Sequence, residues 1–445
     1  MKKTMHIGLD DTDSTRKGCT TYVAALLVEK LLQLQADFID YPNLIRLNPN
    51  VPWKTRGNGA LCLRIQHDES VVDKVKETVI STVEEQADLE CRGTDPGVVF
   101  FQSGKIPRQL NVFAKKTITG VVKLRDSMQL LKKFNGEAIA FKNGRGVIGA
   151  LAAVGETLQA DYTYEIIAYR TPENIGSKRN VHEASVFEMD MATRPYTFNN
   201  VDAEKRRVII TPRGPDPILF GIRGESPEIV KKAFRMVKIL EPVERWVIFR
   251  TNQGTDAHLK RVKKLSQITP YSPLMVRGAV STSPRMIRGR HMIFSIEDEN
   301  SEVDCAAYEP TGALRAVVKK LIVGDRVEAY GGVRPPSRKT PLTINLEKIR
   351  LLNLASQAVF RNPLCSRCGR RLKSMGTEKG FRCDRCGARY PSLKKVEARV
   401  KREIRRGLYM TSTRSQRHLT KPAVRYGMEK HDERVEGLTR EWHFP

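Results

Sequence analysis

Two Cys-x2-Cys pairs, Cys365/Cys368 and Cys383/Cys386, stand fourteen residues apart near one end of the chain. Each pair is followed by glycine, Gly369 and Gly387. Glycine permits the tight knuckle that turns both sulfurs of a pair onto one ion. Four thiolates close a tetrahedral Zn²⁺ shell with no open position, so the spacing predicts a structural zinc ribbon over 360–392. Cys19, Cys62, Cys91 and Cys305 are scattered. Metal-bound and free thiols, with no disulfide framework, fit a reducing, cytoplasmic interior.

At the other end, the apolar strand His6-Ile7-Gly8-Leu9 runs straight into Asp10, Asp11 and Asp13. Carboxylates crowded at a strand end repel one another and call for a cation. Mg²⁺ prefers a few carboxylates together with phosphate oxygens. The hydroxyl-rich turn that follows ends in Cys19-Thr20-Thr21-Tyr22, where a helix starts. Free N–H groups at a helix start seat anions. Together these features predict a site for Mg²⁺ and a nucleoside triphosphate.

A formal net charge of +27 over 445 residues points to a polyanionic partner, nucleic acid before membrane. No apolar run approaches the roughly 18 residues that span a bilayer, and the length suits about three domains. The first unit alternates helix (Tyr22 to Leu34, Val71 to Glu85) with strand (Ala60 to Ile65, Gly97 to Phe101). A second α/β unit opens near residue 137 and runs to about 265. Its glycine-rich stretch Gly144-x-Gly146-x-x-Gly149 has the form of a dinucleotide fingerprint. No acidic residue ends the next strand, however, so the glycines are expected to allow close approach of backbone to a substrate or another domain instead. From 270 to 356 the apolar period changes to two, giving five short strands with one helix between the third and fourth, the pattern of an OB barrel. Past the ribbon, Leu393, Val396, Val400, Ile404 and Leu408 predict a basic helix within 393–445. On it Arg399, Arg402 and Arg406 would lie along RNA phosphates, followed by a basic arm that orders on its partner.

The order of these units, with seven motifs, resembles the archaeal isoleucine-tRNA 2-agmatinylcytidine synthetase family. The motifs are G-L-D-D-T-D-S at Gly8 to Ser14, C-T-T-Y at Cys19 to Tyr22, R-G-N-G-A at Arg56 to Ala60, and R-G-T-D-P-G at Arg92 to Gly97. They continue with G-R-G-V-I-G-A-L-A-A-V-G at Gly144 to Gly155, Y-E-I-I-A-Y-R at Tyr164 to Arg170, and G-P-D-P-I-L-F-G-I-R-G at Gly214 to Gly224. The resemblance implies a multi-domain α/β chain: a kinase-like module over 1–136, a ferredoxin-like domain over 137–265, the OB fold and the ribbon. It implies ATP, agmatine and the first anticodon cytidine of the AUA-decoding isoleucine tRNA as substrates, AMP and phosphate as products, and Thr20 as an autophosphorylation site.

In chemical terms, the carbonyl carbon at position 2 of cytosine is urea-like, a poor electrophile with a poor leaving group. Phosphorylating its oxygen corrects both faults, and the primary amine of agmatine then displaces phosphate. Asp10, Asp11 and Asp13 are expected to serve Mg²⁺ and the bridged phosphates, and Thr20 to accept a phosphoryl group. Thr12, Arg56, Gly57, Arg92 and Gly93 would complete the nucleotide site, each arginine clamping phosphate in a fork. Asp216 and Glu225 are the candidates to receive the agmatine guanidinium. The alternative is a non-catalytic OB-fold and zinc-ribbon nucleic-acid-binding protein whose α/β half is only scaffold.

Overall fold

The computed structural model describes residues 2–431 and 437–445. Its first half is an antiparallel sheet of β1 (Lys2–Asp10), β2 (Asn43–Arg46), β3 (Gly59–Asp68), β4 (Gly97–Gln102) and β5 (Glu137–Ala140). Helices α1 (Thr20–Gln33), α2 (Val72–Gln86), α3 (Arg108–Thr119), α4 (Leu124–Lys133) and α5 (Gly146–Gly155) pack around it. The second half contributes β6 (Thr163–Arg170), α6 (Glu183–Thr193), β7 (Ile218–Gly224), α7 (Pro227–Met236) and β8 (Val243–Thr251). All the long strands join one continuous sheet in the order β5-β4-β1-β3-β2-β8-β6-β7. The halves meet where β2 and β8 pair in parallel, Arg250 opposite Asn43 and Thr251 opposite Leu44. The boundary expected at residue 137 is therefore no break in packing. β5 extends the first half through β4, and one apolar core runs under both halves.

Helix α5 explains the glycine-rich stretch. It is apolar on every side and almost wholly buried, as a helix threaded through a core must be. A Cβ on Gly8 of β1 would lie 2.2 Å from the Ala150 carbonyl oxygen, and one on Gly97 of β4 would lie 2.0 Å from the Val147 nitrogen. The glycines bring helix backbone onto strand backbone. Close approach does occur, but what the helix approaches is the chain's own sheet and not the substrate or other domain expected.

Residues 273–353 form a closed barrel of β9 (Pro273–Val280), β10 (His291–Glu297), β11 (Glu302–Ala307), β12 (Arg326–Arg334) and β13 (Thr343–Asn353). Helix α8 (Ala313–Val318) lies between the third and fourth strands. β9 pairs with β10 and β12, β10 with β11, and β12 with β13, all antiparallel. A parallel pairing of β11 with β13 closes the ring. The four sulfurs of Cys365, Cys368, Cys383 and Cys386 lie within 4.8 Å of one another, and Gly369 and Gly387 take φ of +70° and +75°. This donor set and its knuckles fit zinc.

The helix expected after the ribbon does not form. Val396–Val400 is a strand paired with Gln357–Arg361, and Gly407–Met410 adds a strand to β13. The apolar stripe has no common partner. Ile404 enters the barrel core, whereas Val396 and Leu393 stay exposed. β-Branched Val396 and Val400 suit the extended return path beside the strand that led out.

The basic arm is also not loose. From Thr411 to Lys430 the chain folds back over barrel and sheet because buried acids await it. Arg414 pairs with Asp202, Arg417 with Glu347, and Lys421 with Asp161. The wholly buried Arg425 pairs with both Glu225 and Asp161. No helix among the described residues is long and apolar enough to cross a membrane.

Candidate functional site

β1 delivers Asp10 to the end of the sheet, and the next residue, Asp11, adopts φ +60°. That conformation is uncommon for a residue with a side chain and is held only where the surroundings enforce it. Asp11 is held through one oxygen: its Oδ2 accepts from the Asp95 amide (3.2 Å) and from Arg145 Nη2 (2.8 Å). The turn beyond is pinned by Ser14, whose hydroxyl donates to Asp88 (2.6 Å), and by Arg16 on the same carboxylate. α1 then starts at Thr20 with no side chain capping it, leaving the anion seat open.

A cavity of about 310 Å³ opens here. Asp10, Asp11, Asp13, Thr20, Arg56, Gly57 and Asp216, all expected from sequence, line it. Thr12 lies just beneath, fully buried, and donates its hydroxyl to Thr20 Oγ1 (3.1 Å). Thr20 is only 6 % exposed, so its hydroxyl is reachable through the cavity alone. Arg92 is exposed and outside the lining, and Gly93 contributes only a carbonyl, to Arg145. The phosphate fork assigned to Arg92 therefore has no support from its position. Arg145 stands beside the acids instead.

The three acids do not converge as a ready-made metal cage. Among the described residues, only the four cysteines gather three or more ligand atoms at one point. Asp13 Oδ2 accepts from Arg56 Nε (2.9 Å) and Asp11 is taken by Arg145, whereas Asp10 makes no ion pair among the described residues. Burial, and then neighbouring Asp11, hold the Asp10 carboxyl well above the usual range. Burial also pushes Asp11 up to about 6 against the pull of Arg145, and raises Asp13 against Arg56. A hard, anionic oxygen that lacks a cation suits Mg²⁺ supplemented by phosphate oxygens.

Asp10 lies against the first turn of α5, where a Cβ on Gly149 would sit 1.8 Å from Oδ2. A carboxylate can swing aside, but backbone cannot. Gly149→Ala is thus expected to turn the Asp10 carboxylate away and cost activity with a nearly unchanged melting temperature. Gly97→Ala, which strikes the Val147 backbone, is expected to cost about 1–3 kcal/mol or more of stability. Thermal melts beside a turnover assay separate the two outcomes.

Asp216 is in the wall but already shared. Its Oδ2 accepts from Arg56 Nη1 (3.0 Å) and its Oδ1 from Arg179 Nη2 (3.0 Å). Glu225, expected beside it as an agmatine ligand, is not in the lining; it anchors the C-terminal segment through Arg425 and Lys430. Arg402, expected to lie along RNA phosphates, is also not free to do so. Its guanidinium is closed on the fully buried Asp325, so it staples the barrel, whereas Arg399 and Arg406 are exposed. Sequence reasoning missed Arg46, Trp53, Lys54, Arg145 and His418, all in the lining. Arg145 could have been found, since it sits within the G-R-G-V-I-G motif. His418 could not, because nothing near it in sequence marks it.

Sequence comparison matches residues 6–143 to the TiaS TCKD domain, 144–258 to the TiaS FLD domain and 362–404 to the TiaS C-terminal zinc ribbon domain. The chain is 43 % identical over 425 residues to the isoleucine-tRNA 2-agmatinylcytidine synthetase TiaS of Methanocaldococcus jannaschii, covering 94 % of this chain and 98 % of that one. Its fold matches the crystal structure of a complex of TiaS with its isoleucine tRNA and ATP, with a TM-score of 0.85 and 40 % identity, over 98 % of this chain and 99 % of the other. A complex of TiaS with the same tRNA, AMPCPP and agmatine matches with a TM-score of 0.83 and 38 % identity over the same shares.

Proposed function

This chain belongs to the TiaS family, and we propose that it is an isoleucine-tRNA 2-agmatinylcytidine synthetase: with ATP, it conjugates agmatine to C2 of the wobble cytidine of the AUA-decoding isoleucine tRNA. The observation that carries this reading is the single cavity where Asp10, Asp11, Asp13, Thr20 and Arg56 meet. Binding RNA gives no reason to place three carboxylates together, so the purely nucleic-acid-binding alternative is not favoured. We read the first half as the kinase-like module and the second as ferredoxin-like. The barrel reads as an OB fold, supported by the parallel β11–β13 closure.

ATP lies with its phosphates at the start of α1, and Arg56 and Arg145 face them. Asp10, with Asp11 and Asp13 beside it, would hold Mg²⁺, which neutralises phosphate charge when bound. Thr20 accepts a phosphoryl group. An anticodon-loop cytidine is unpaired and extrudes at small cost, so its C2 oxygen can enter the same cavity and take a phosphoryl group that derives from ATP as one P–O–P bond breaks; water cleaves the other, leaving AMP and phosphate. The neutral agmatine amine then forms the C2–N bond, the C2–O bond breaks, and phosphate leaves. An alkylamine has a pKa near 10, so a carboxylate of the cavity must take its proton. Asp216 is the wall acid available to the agmatine guanidinium, which would compete there with Arg56 or Arg179.

Incubating the full chain with the tRNA, ATP and agmatine, and weighing the nucleosides by mass spectrometry, tests the reading. A cytidine heavier by agmatine less water supports it; unmodified cytidine refutes it.

The exposed cations extend the argument to the tRNA body. Removing Arg399 and Arg406 is expected to lower the slope of log affinity against log salt by up to about one per lost phosphate contact. Arg402→Met should instead destabilise the barrel by about 3–5 kcal/mol, since it strands the buried Asp325. Binding isotherms at several salt concentrations, with melts of each variant, check both.

A further inference from the structure

Three cavities meet at two residues that the mechanism above leaves idle. Arg46 and His418 line the acid-bearing cavity. They also line one of about 460 Å³ that holds Glu165 and Arg223, and one of about 390 Å³ between Lys54 and Arg417. Arg46 ends β2, and its backbone is clamped by Asn252, which accepts from its N–H (2.8 Å) and donates to its carbonyl (3.0 Å). Its guanidinium lies against Gly57 and Gly59, where any Cβ would come within 2.6 and 2.9 Å of Nη1. The R-G-N-G motif thus makes room for this side chain. Yet among the described residues the guanidinium finds no hydrogen-bond acceptor and no ion-pair partner, and its Nε is sealed from solvent. Burial pushes the group down to about 10. A cation in that position is ordinarily paired.

His418 arrives from the C-terminal segment. Arg223 Nη2 lies 2.8 Å from its Nδ1, and Glu165 holds Arg223 in turn, with Nε to Oε1 at 3.0 Å. A guanidinium can only donate, so Nδ1 accepts and the ring proton sits on Nε2. Burial, with Arg46 and Arg223 nearby, keeps the ring neutral. Nε2 faces Gly57, and a Cβ there would lie 3.0 Å away. The junction therefore offers an unpaired guanidinium and an imidazole N–H, both donors, on the walls that the three cavities share.

We propose that Arg46 and His418 form a phosphate subsite that holds the phosphoryl group on the cytidine C2 oxygen and receives it as it leaves. This rests on the function proposed above, in which the base itself acquires an anionic phosphoryl group before agmatine displaces it. As the amine nitrogen bonds to C2, the C2–O bond gives its electron pair to the departing phosphate. Arg46 and the His418 Nε2–H hydrogen-bond its oxygens, and the amine proton passes to a cavity carboxylate. Both residues touch the leaving group, and Asn252, Arg223 and Glu165 position them.

Titrating the full chain with inorganic phosphate, read by phosphorus NMR line width, tests the subsite. Parallel titrations use the ATP analogue AMPCPP and an anticodon stem-loop RNA. Arg46→Met is expected to weaken phosphate by about tenfold or more, the loss of a charge-assisted hydrogen bond, with AMPCPP and RNA affinities unchanged. Should that variant fail to fold, His418→Phe is expected to weaken phosphate severalfold on the same readout. Unchanged phosphate affinity overturns the proposal. So does a loss confined to AMPCPP, which reassigns Arg46 to the triphosphate, or to RNA, which reassigns it to the backbone. Product formation by the unmodified chain separates the two levels. No product refutes the proposed function itself, whereas normal product with unaltered phosphate binding in Arg46→Met refutes only the subsite.

Discussion

Asparagine at position 10 is expected to abolish agmatine transfer, by about 10²–10³-fold or more, while raising the melting temperature. The two effects have one cause. Asp10 lies against α5, makes no ion pair among the described residues and faces Asp11, so its carboxyl is held well above the normal range. A group whose folded pKa lies above its unfolded value costs stability once pH exceeds the unfolded pKa, and the full cost is present above the folded one. Asparagine has the same shape without that cost, so near neutral pH the fold gains. The same substitution removes the anion that draws a cation and its phosphates into the cavity, so turnover is lost. tRNA affinity should be unchanged, because the exposed basic surface is untouched. Thr20→Ala is expected to lose product as well, but with a small loss of stability, since it strands the Thr12 hydroxyl. Melting curves, a filter-binding assay and nucleoside masses read all three quantities. An Asp10→Asn variant that turns over normally would remove Asp10 from the chemistry.

The second large effect belongs to Arg425. Its side chain is fully buried and bridges Glu225 (2.5 Å) and Asp161 (2.8 Å), and it also donates to the Gly254 carbonyl. Methionine there leaves two carboxylates without their main cation, a loss of about 3–5 kcal/mol. That loss falls on the segment from Thr411 to Lys430, which is held by ion pairs and has little apolar surface of its own. The expected result is early trypsin cleavage within this segment, a lowered melting temperature and lost turnover as His418 leaves the cavity. AMPCPP binding should survive at the acid cluster. Equal protease resistance in variant and parent would show that other contacts hold the segment.

What the sequence revealed about this site followed contiguity. Asp10 to Ser14 and Cys19 to Tyr22 lie within one β-turn-α unit, so local pattern sufficed to place them together. The cysteine pairs were legible for the same reason, and the period-two strands of the barrel because half their residues face one core. What escaped depends on distant parts of the chain. Arg145 reaches Asp11 only because α5 threads beneath β1, and His418 meets Arg223 across 195 residues. Arg402 looked like one more surface cation, since nothing in its own segment announces the buried Asp325. The apolar spacing from Leu393 to Leu408 suggests a helix, but residues at helical spacing can divide among different partners, as Ile404 and Val396 do. Glu225 suits a guanidinium, and the chain itself supplies one, from Arg425.

The most direct test of the central claim is an experimental structure of the chain with a non-hydrolysable ATP analogue and the tRNA. The account predicts the triphosphate at the start of α1, beside Asp10, Asp11 and Asp13, with a phosphorus atom within reach of Thr20 and the extruded cytidine. A triphosphate bound away from this cavity, with the acid cluster unchanged, would contradict it.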